Sequence, residues 1–260
     1  MAHLFQIEKD SFDPKRISIT VVTRKDRGSV SLVPKYKLDN GKEVTIQIQT
    51  PKMFTPRGTV EQVDGDKNPT GKFMTELVLD SENPVCKTFE EKLLEVDECI
   101  IKQCVEKISY LYKNNPAIKR GDLTPEQLIR SNYRSMVQEP SNEYADKYDN
   151  SVRIKMYLSD DGKWSGQAFK MPDTRARVEL IDATDPTFVK TQYASIIFMA
   201  RLGLYYVNGN LYPVLSGNKA RVYPSERADH EFNDDDDDDD DNDDYGNGDD
   251  FHQQSDDDSE

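Results

Sequence analysis

Val152-Arg153-Ile154-Lys155-Met156-Tyr157-Leu158 alternates apolar side chains with Arg, Lys and Tyr without a break. Successive side chains of a strand point to opposite faces, so a period of two held this long marks a strand with one buried and one solvent-facing side. Val152, Ile154, Met156 and Leu158 are then the buried set. A chain that spends seven residues this way is building a half-buried sheet, and the flanking sequence should supply its other strands.

Downstream, Asp160-Asp161-Gly162-Lys163 supplies turn chemistry into a strand at residues 164–169. Further strands are read at residues 177–181, 193–199 and 204–207. Asn208-Gly209 then forms a two-residue hairpin turn into residues 211–215, and a last strand covers 220–223. Upstream, Ile17-Ser18-Ile19-Thr20-Val21-Val22, Val30-Ser31-Leu32-Val33 and Val44-Thr45-Ile46-Gln47-Ile48 alternate or are β-branched, with Asp39-Asn40-Gly41 as a turn, and another strand runs over residues 73–79. Between the two β-rich halves, Asn83-Pro84 is a helix start. Phe89, Leu93, Val96, Ile100, Cys104, Ile108 and Leu111 come after it at three- and four-residue spacing, one apolar stripe along about seven turns. Thr124-Pro125-Glu126-Gln127 is a capping-box pattern for a shorter helix expected to end near Gln138, before Pro140, and residues 141–150 read as a loop. The fold class is therefore mainly β. An antiparallel OB-type barrel with one long and one short inserted helix at about 84–138 fits residues 1–228, and a sandwich fits almost as well.

Charge separates this body from the C-terminal segment, residues 229–260. The chain has 34 Lys and Arg against 49 Asp and Glu, a net of −15. Residues 229–260 hold 18 of the acids and no Lys or Arg, including the run from Asp234 to Asp241, which leaves the body at +3 (34 − 31). No packed core can form in such a segment, so it is expected to be a disordered acidic tail. The first residues show no basic region followed by an apolar run, and the longest apolar stretch, at 193–207, is too short to span a bilayer as a helix and contains Arg201. A soluble, intracellular protein is expected, without contact to membranes. Cys86, Cys99 and Cys104 lack CxxC spacing and read as reduced core thiols.

Catalysis finds little support. The histidines are His3 at the extreme N-terminus and His230 and His252 in the acidic segment, so no histidine triad or cage is expected in the body, and no phosphate loop or dinucleotide fingerprint is present. Asp160 with Asp161 and Asp182 with Asp185 sit where turns need Asp. The chain reads as a non-enzyme with neither metal nor cofactor.

The strands do carry cations beside rings: Lys35-Tyr36-Lys37, Lys52-Met53-Phe54 with Arg57, Lys155-Met156-Tyr157, Lys163-Trp164 and Arg221-Val222-Tyr223. Single-stranded nucleic acid needs this pairing, because cations track the phosphates while flat rings stack on exposed bases, each ring worth ~1–3 kcal/mol. Duplex DNA hides those base faces. The competing account is that alternation buries rings and exposes lysines by default, since neighbours point to opposite faces. The tail resembles a phosphate backbone in charge and can compete for the same groove. Its isolated aromatics among acids, such as Tyr245 and Phe251, suit a docking peptide for a basic partner.

The segment Ile46-Gln47-Ile48-Gln49-Thr50-Pro51-Lys52-Met53-Phe54, followed by Pro56 and Gly58, closely resembles a motif of a single-stranded-DNA-binding protein family of large nucleocytoplasmic DNA viruses. That family is similar in fold to the acidic-tailed binding protein of short-tailed coliphages. Gly203-Leu204-Tyr205-Tyr206-Val207-Asn208-Gly209, with a later strand ending in Arg221-Val222-Tyr223-Pro224, matches a second segment, and the likeness spans roughly residues 17 to 224. Tyr205 stands where the family often has a tryptophan, and this tail ends in Ser259-Glu260 rather than in an aromatic as in the phage proteins. The resemblance implies an OB-type fold and sequence-independent binding of single strands in viral replication or recombination. It also implies a tail that guards the groove and contacts replication proteins, and it leaves room for a homodimer. The setting it implies is a host nucleus or a cytoplasmic virus factory. The alternative reading is an acidic-tailed chaperone or scaffold in which the tail binds basic proteins.

Overall fold

A computed structural model of the chain describes residues 2–9, 12–23, 30–63, 66–112, 115–144, 147–159, 161–171, 179–181 and 194–223. Asp160, Asp182, Asp185 and the tail residues Asp234, Asp241, Tyr245 and Phe251 lie outside them. In chain order the first strands are β1 (Ala2–Phe5), β2 (Ile17–Thr23), β3 (Val30–Lys37), β4 (Glu43–Gln49), β5 (Met53–Thr55), β6 (Thr59–Val63) and β7 (Pro69–Val78). Helices α1 (Pro84–Glu106), α2 (Ile108–Leu111), α3 (Pro116–Arg120) and α4 (Pro125–Asn132) come next. The chain then returns to strands: β8 (Val137–Gln138), β9 (Ser151–Met156), β10 (Gln167–Lys170), β11 (Glu179–Ile181), β12 (Ala194–Val207) and β13 (Asn210–Tyr223).

The hairpin β12–β13 is the spine. Asn208 (φ 50°) and Gly209 (φ 80°) both occupy the left-handed region, which a tight turn matched to strand twist requires. Along its free edge β12 meets β5, β4 and β3 in succession, through Ile196 with Met53, Ala200 with Ile48 and Leu204 with Leu32. Along its own free edge β13 meets β9 and β10, both parallel, through Leu215 with Ile154 and Ala220 with Ala168. β9 carries β7, and β7 carries β6. Among the described residues the sheet is open, and β1 also runs parallel to β4. The expected closed, wholly antiparallel barrel is corrected on both counts. β9 arrives from the helical segment and β10 from the turn before it, so neither reaches β13 through a hairpin that would force an antiparallel approach.

Helix α1 begins as its sequence requires: the Asn83 side chain accepts from the Val85 and Cys86 amides, with Pro84 in the first turn. Its stripe of Phe89, Leu93, Val96, Ile100 and Cys104 is wholly buried, and the helix packs on β2. Burial pushes the Cys104 thiol up to about 12, and Cys86, Cys99 and Cys104 are all free. The helix breaks at Lys107, before the expected end. Tyr206 donates its hydroxyl to the Leu111 carbonyl (2.6 Å) and Tyr112 donates to Gly209, fixing α2 to the hairpin tip.

Helix α4 carries the full capping box of Thr124 and Gln127, yet it ends at Asn132 rather than near Gln138. The cause is Asp97, buried on α1, which accepts from the Tyr133 hydroxyl (2.6 Å), the Ser135 hydroxyl (2.7 Å) and the Met136 amide (2.9 Å). That acceptor set draws residues 133–136 out of helical geometry, so Arg134 bonds to Leu211 of β13 and Val137 pairs with Val152 of β9. Burial raises the Asp97 carboxyl to about 6 against the lowering effect of its three donors.

Candidate nucleic-acid interface

The two faces of the β12–β13 hairpin differ in chemistry. Ile196, Phe198, Ala200, Leu202 and Leu204 turn into the core. On the other face, register sets Ile197 opposite Arg221, Met199 opposite Lys219, Arg201 opposite Ser216 and Tyr205 opposite Tyr212. Neighbouring strands extend that face: Phe169 lies beside Arg221, Lys155 beside Ser216, and Gln47 and Gln49 beside Arg201 and Met199. Lys35 joins it through Thr45, whose hydroxyl accepts from the lysine at 3.2 Å.

A row of cations thus runs along the hairpin. Among the described residues, Lys35, Lys155, Arg201, Lys219 and Arg221 have no carboxylate within salt-bridge distance. Two carboxylates on the same face are engaged elsewhere. Glu43 accepts from Ser18, while Glu76 accepts from Ser151 and pairs with Arg153 at 3.6 Å. Lys155 is held below its usual range by burial and by repulsion from Lys72 and Arg153, which is the state of a lysine that an incoming anion would stabilise.

Rings stand among these charges. Tyr157 and Tyr205 remain 48% and 44% exposed and share a cleft of about 510 Å³ with Arg201 and Ser216. With Lys72, Lys155 and Tyr212 they line a second cleft of about 370 Å³. Burial, reinforced by interaction with Tyr205, pushes the Tyr157 phenol up. At the other end of the hairpin, Phe169, Met199, Lys219 and Arg221 line a depression of about 410 Å³.

The cation and ring pairs read from the sequence separate by parity. Pairs two residues apart land on one face. Phe54 lies beside Ser195 on the outer side, Lys155 and Tyr157 point outward together, and Lys52 sits 4.4 Å over the ring of Tyr223, two residues from Arg221. Adjacent pairs split. Lys35 and Lys37 point out, but Tyr36 is 1% exposed, stacked on Phe12 at 5.1 Å with its hydroxyl accepting from the Asp13 amide. Trp164 is 4% exposed and donates its indole N–H to the Gly217 carbonyl (3.2 Å), and Lys163 stays at its turn, 3.8 Å from Asp161. Burial removes Tyr36 and Trp164 from stacking, correcting that part of the reading. Arg57 lines a different cleft, beside Phe54. Arg201, Tyr212, Phe169 and Lys219 were not anticipated. The signal for Arg201 was its parity with Tyr205 in the apolar stretch.

Among the described residues no group of three His, Cys, Asp or Glu side chains could hold a metal ion, and no helix is long and apolar enough to cross a membrane. No family profile and no curated protein matches the sequence. Among solved structures, the chain is similar to gp2.5, a single-stranded DNA binding protein encoded by bacteriophage T7, at 11% identity and a TM-score of 0.41 over 71% of this chain and 96% of that one. It is also similar to the single-stranded DNA-binding protein from bacteriophage Enc34 in complex with ssDNA, at 9% identity and a TM-score of 0.39 over 74% of this chain and 91% of that one.

Proposed function

We propose that the chain binds single-stranded DNA, independently of sequence, on the outer face of the β12–β13 hairpin and its flanking strands. The observation that carries this reading is that exposed Tyr157 and Tyr205 share one cleft with Arg201 and another with Lys155, cations without a carboxylate partner among the described residues. Rings so placed offer stacking surfaces to any base, since every base has a π-face, and the cations follow the phosphates. In a duplex the base faces are covered by their neighbours, so the rings gain nothing.

Setting and control are supported by composition. The acidic tail, with its unbroken run from Asp234 to Asp241, competes with DNA for the cationic face and recruits replication proteins through Tyr245 and Phe251. The motif around Ile46 to Phe54 supports a role among the viral single-strand binders, in DNA replication or recombination. That role is binding rather than catalysis.

Fluorescence anisotropy of labelled single-stranded DNA, duplex DNA and single-stranded RNA tests this, with the full chain and a variant ending at Ala228, across a salt series. Preference for single-stranded DNA, tighter in the shorter variant and weakening steeply with salt, is the expected result. Equal duplex binding would overturn the stacking argument. Binding of basic proteins without any binding of nucleic acid would favour a scaffold role for the tail.

A further inference from the structure

The outward row of β9 does not end at the tyrosines. Tyr157, Lys155 and Arg153 succeed one another on one face, and the clefts along them are contiguous. The cleft of Tyr157 and Tyr205 shares Lys155 and Tyr212 with a cavity of about 290 Å³, which in turn shares Gln138 and Arg153 with a cleft of about 760 Å³. That last cleft is lined by a second pair of rings, Tyr144 and Tyr148, 45% and 66% exposed with centroids 5.9 Å apart. Lys147 lies 6.0 Å from the centroid of Tyr144, and Phe54 and Arg57 complete the far wall.

We infer that a single strand bound at Tyr157 and Tyr205 continues along Lys155 and Arg153 into the Tyr144–Tyr148 cleft, which forms a second stacking segment of the same binding site. This rests on the reading of the hairpin face as a single-strand interface. The two segments differ in physics. Around the hairpin the cations lack carboxylate partners among the described residues, whereas the second cleft sets Arg57, Lys147 and Arg153 against Glu76, Glu139 and Asp149. Its charges cancel, so it holds bases by stacking and adds little counterion release. The cavity between the two, with Arg134, Arg153 and Lys155 on its walls, is where the connecting phosphates pass.

The test is a length series of oligo(dT), with affinity and salt slope measured for the full chain and for Tyr144→Ala/Tyr148→Ala. Both tyrosines are exposed, so the variant is expected to fold, and Tyr144→Phe/Tyr148→Phe, which keeps the rings, is the rescue control. In the unaltered protein affinity rises in two stages with length. The alanine variant keeps the first stage and loses the second, by on the order of ten-fold per ring for long oligomers, with the salt slope unchanged, and the phenylalanine variant restores it. A length profile for the alanine variant that superimposes on the unaltered protein overturns the second segment while leaving the hairpin face standing. Failure of every length to bind overturns the hairpin reading itself.

Discussion

Lys219 and Arg221 stand side by side on the outer face of β13, and neither has a carboxylate partner among the described residues, so replacing both by alanine removes charge without breaking an ion pair. Lys35, Lys52, Lys155, Arg201, Lys219 and Arg221 are six cations of the face. If each meets one phosphate, and each contact contributes about −0.7 to the slope of log affinity against log salt, the full chain has a slope of about −4. Between 50 and 200 mM salt that is a loss of roughly 300-fold. The double variant falls to a slope of about −3 and loses only about 50-fold over the same range, and at 100 mM salt it binds on the order of 25-fold more weakly than the unaltered chain. The assay is anisotropy titration at five salt concentrations, with Lys163→Ala as a surface control because Lys163 stays at its turn beside Asp161. A double variant whose slope matches the unaltered chain, or a Lys163→Ala slope that falls as far, would refute the placement of phosphates on this face.

Replacing Asp97 by Ala orphans the Tyr133 hydroxyl and the Met136 amide and is expected to cost about 3 kcal/mol in denaturant unfolding, with Asp97→Asn milder because an amide still accepts. The raised Asp97 carboxyl, at about 6, means that the folded state holds this proton more tightly than the unfolded chain. Its contribution to stability is therefore complete below about pH 4 and declines by about 3 kcal/mol as pH rises through about 6, a dependence that Asp97→Asn should flatten. At Gly217 an added Cβ would lie 2.9 Å from Ile154 and 3.1 Å from Phe198, so Gly217→Ala should lower thermal stability by about 1–3 kcal/mol. Tyr36→Ala and Trp164→Ala should each reduce stability by about 3 kcal/mol while leaving single-strand affinity of the folded protein unchanged; a selective loss of affinity would show that burial had been misjudged.

Local rules were legible in the sequence where one element decided them. Alternation at 152–158 set the outward row of Arg153, Lys155 and Tyr157. Asn83-Pro84, Thr124 with Gln127, and Asn208-Gly209 each did locally what their chemistry requires. What escaped the sequence depended on distant partners. The strands read at 193–199, 204–207, 211–215 and 220–223 leave out residues 200–203 and 216–219. Those residues are instead the middle of two strands of 14 residues, with a bulge at Met199 and Ala200 where Lys219 and Gly217 are their partners and Asn218 is the extra residue. Gly217 is there because Ile154 and Phe198 leave no room for a side chain, a reason found only in three dimensions. The early end of α4 likewise depends on a carboxylate from another helix. For the interface, residue type pointed to the cation and ring pairs, and parity sorts them. A cation and a ring next to each other in a strand cannot share a face, whereas a pair two apart can, which separates Tyr36 and Trp164 from Phe54, Tyr157 and Tyr223.

The central claim is that bases stack on rings of the β12–β13 face, and photo-crosslinking reports that contact directly. Oligo(dT) carrying 5-iododeoxyuridine would be bound to the full chain, irradiated and mapped by mass spectrometry. Crosslinks at Tyr157, Tyr205, Tyr212 or Phe169 are the predicted result. Crosslinks confined to rings off this face, such as the exposed Tyr110 on α2, would contradict it.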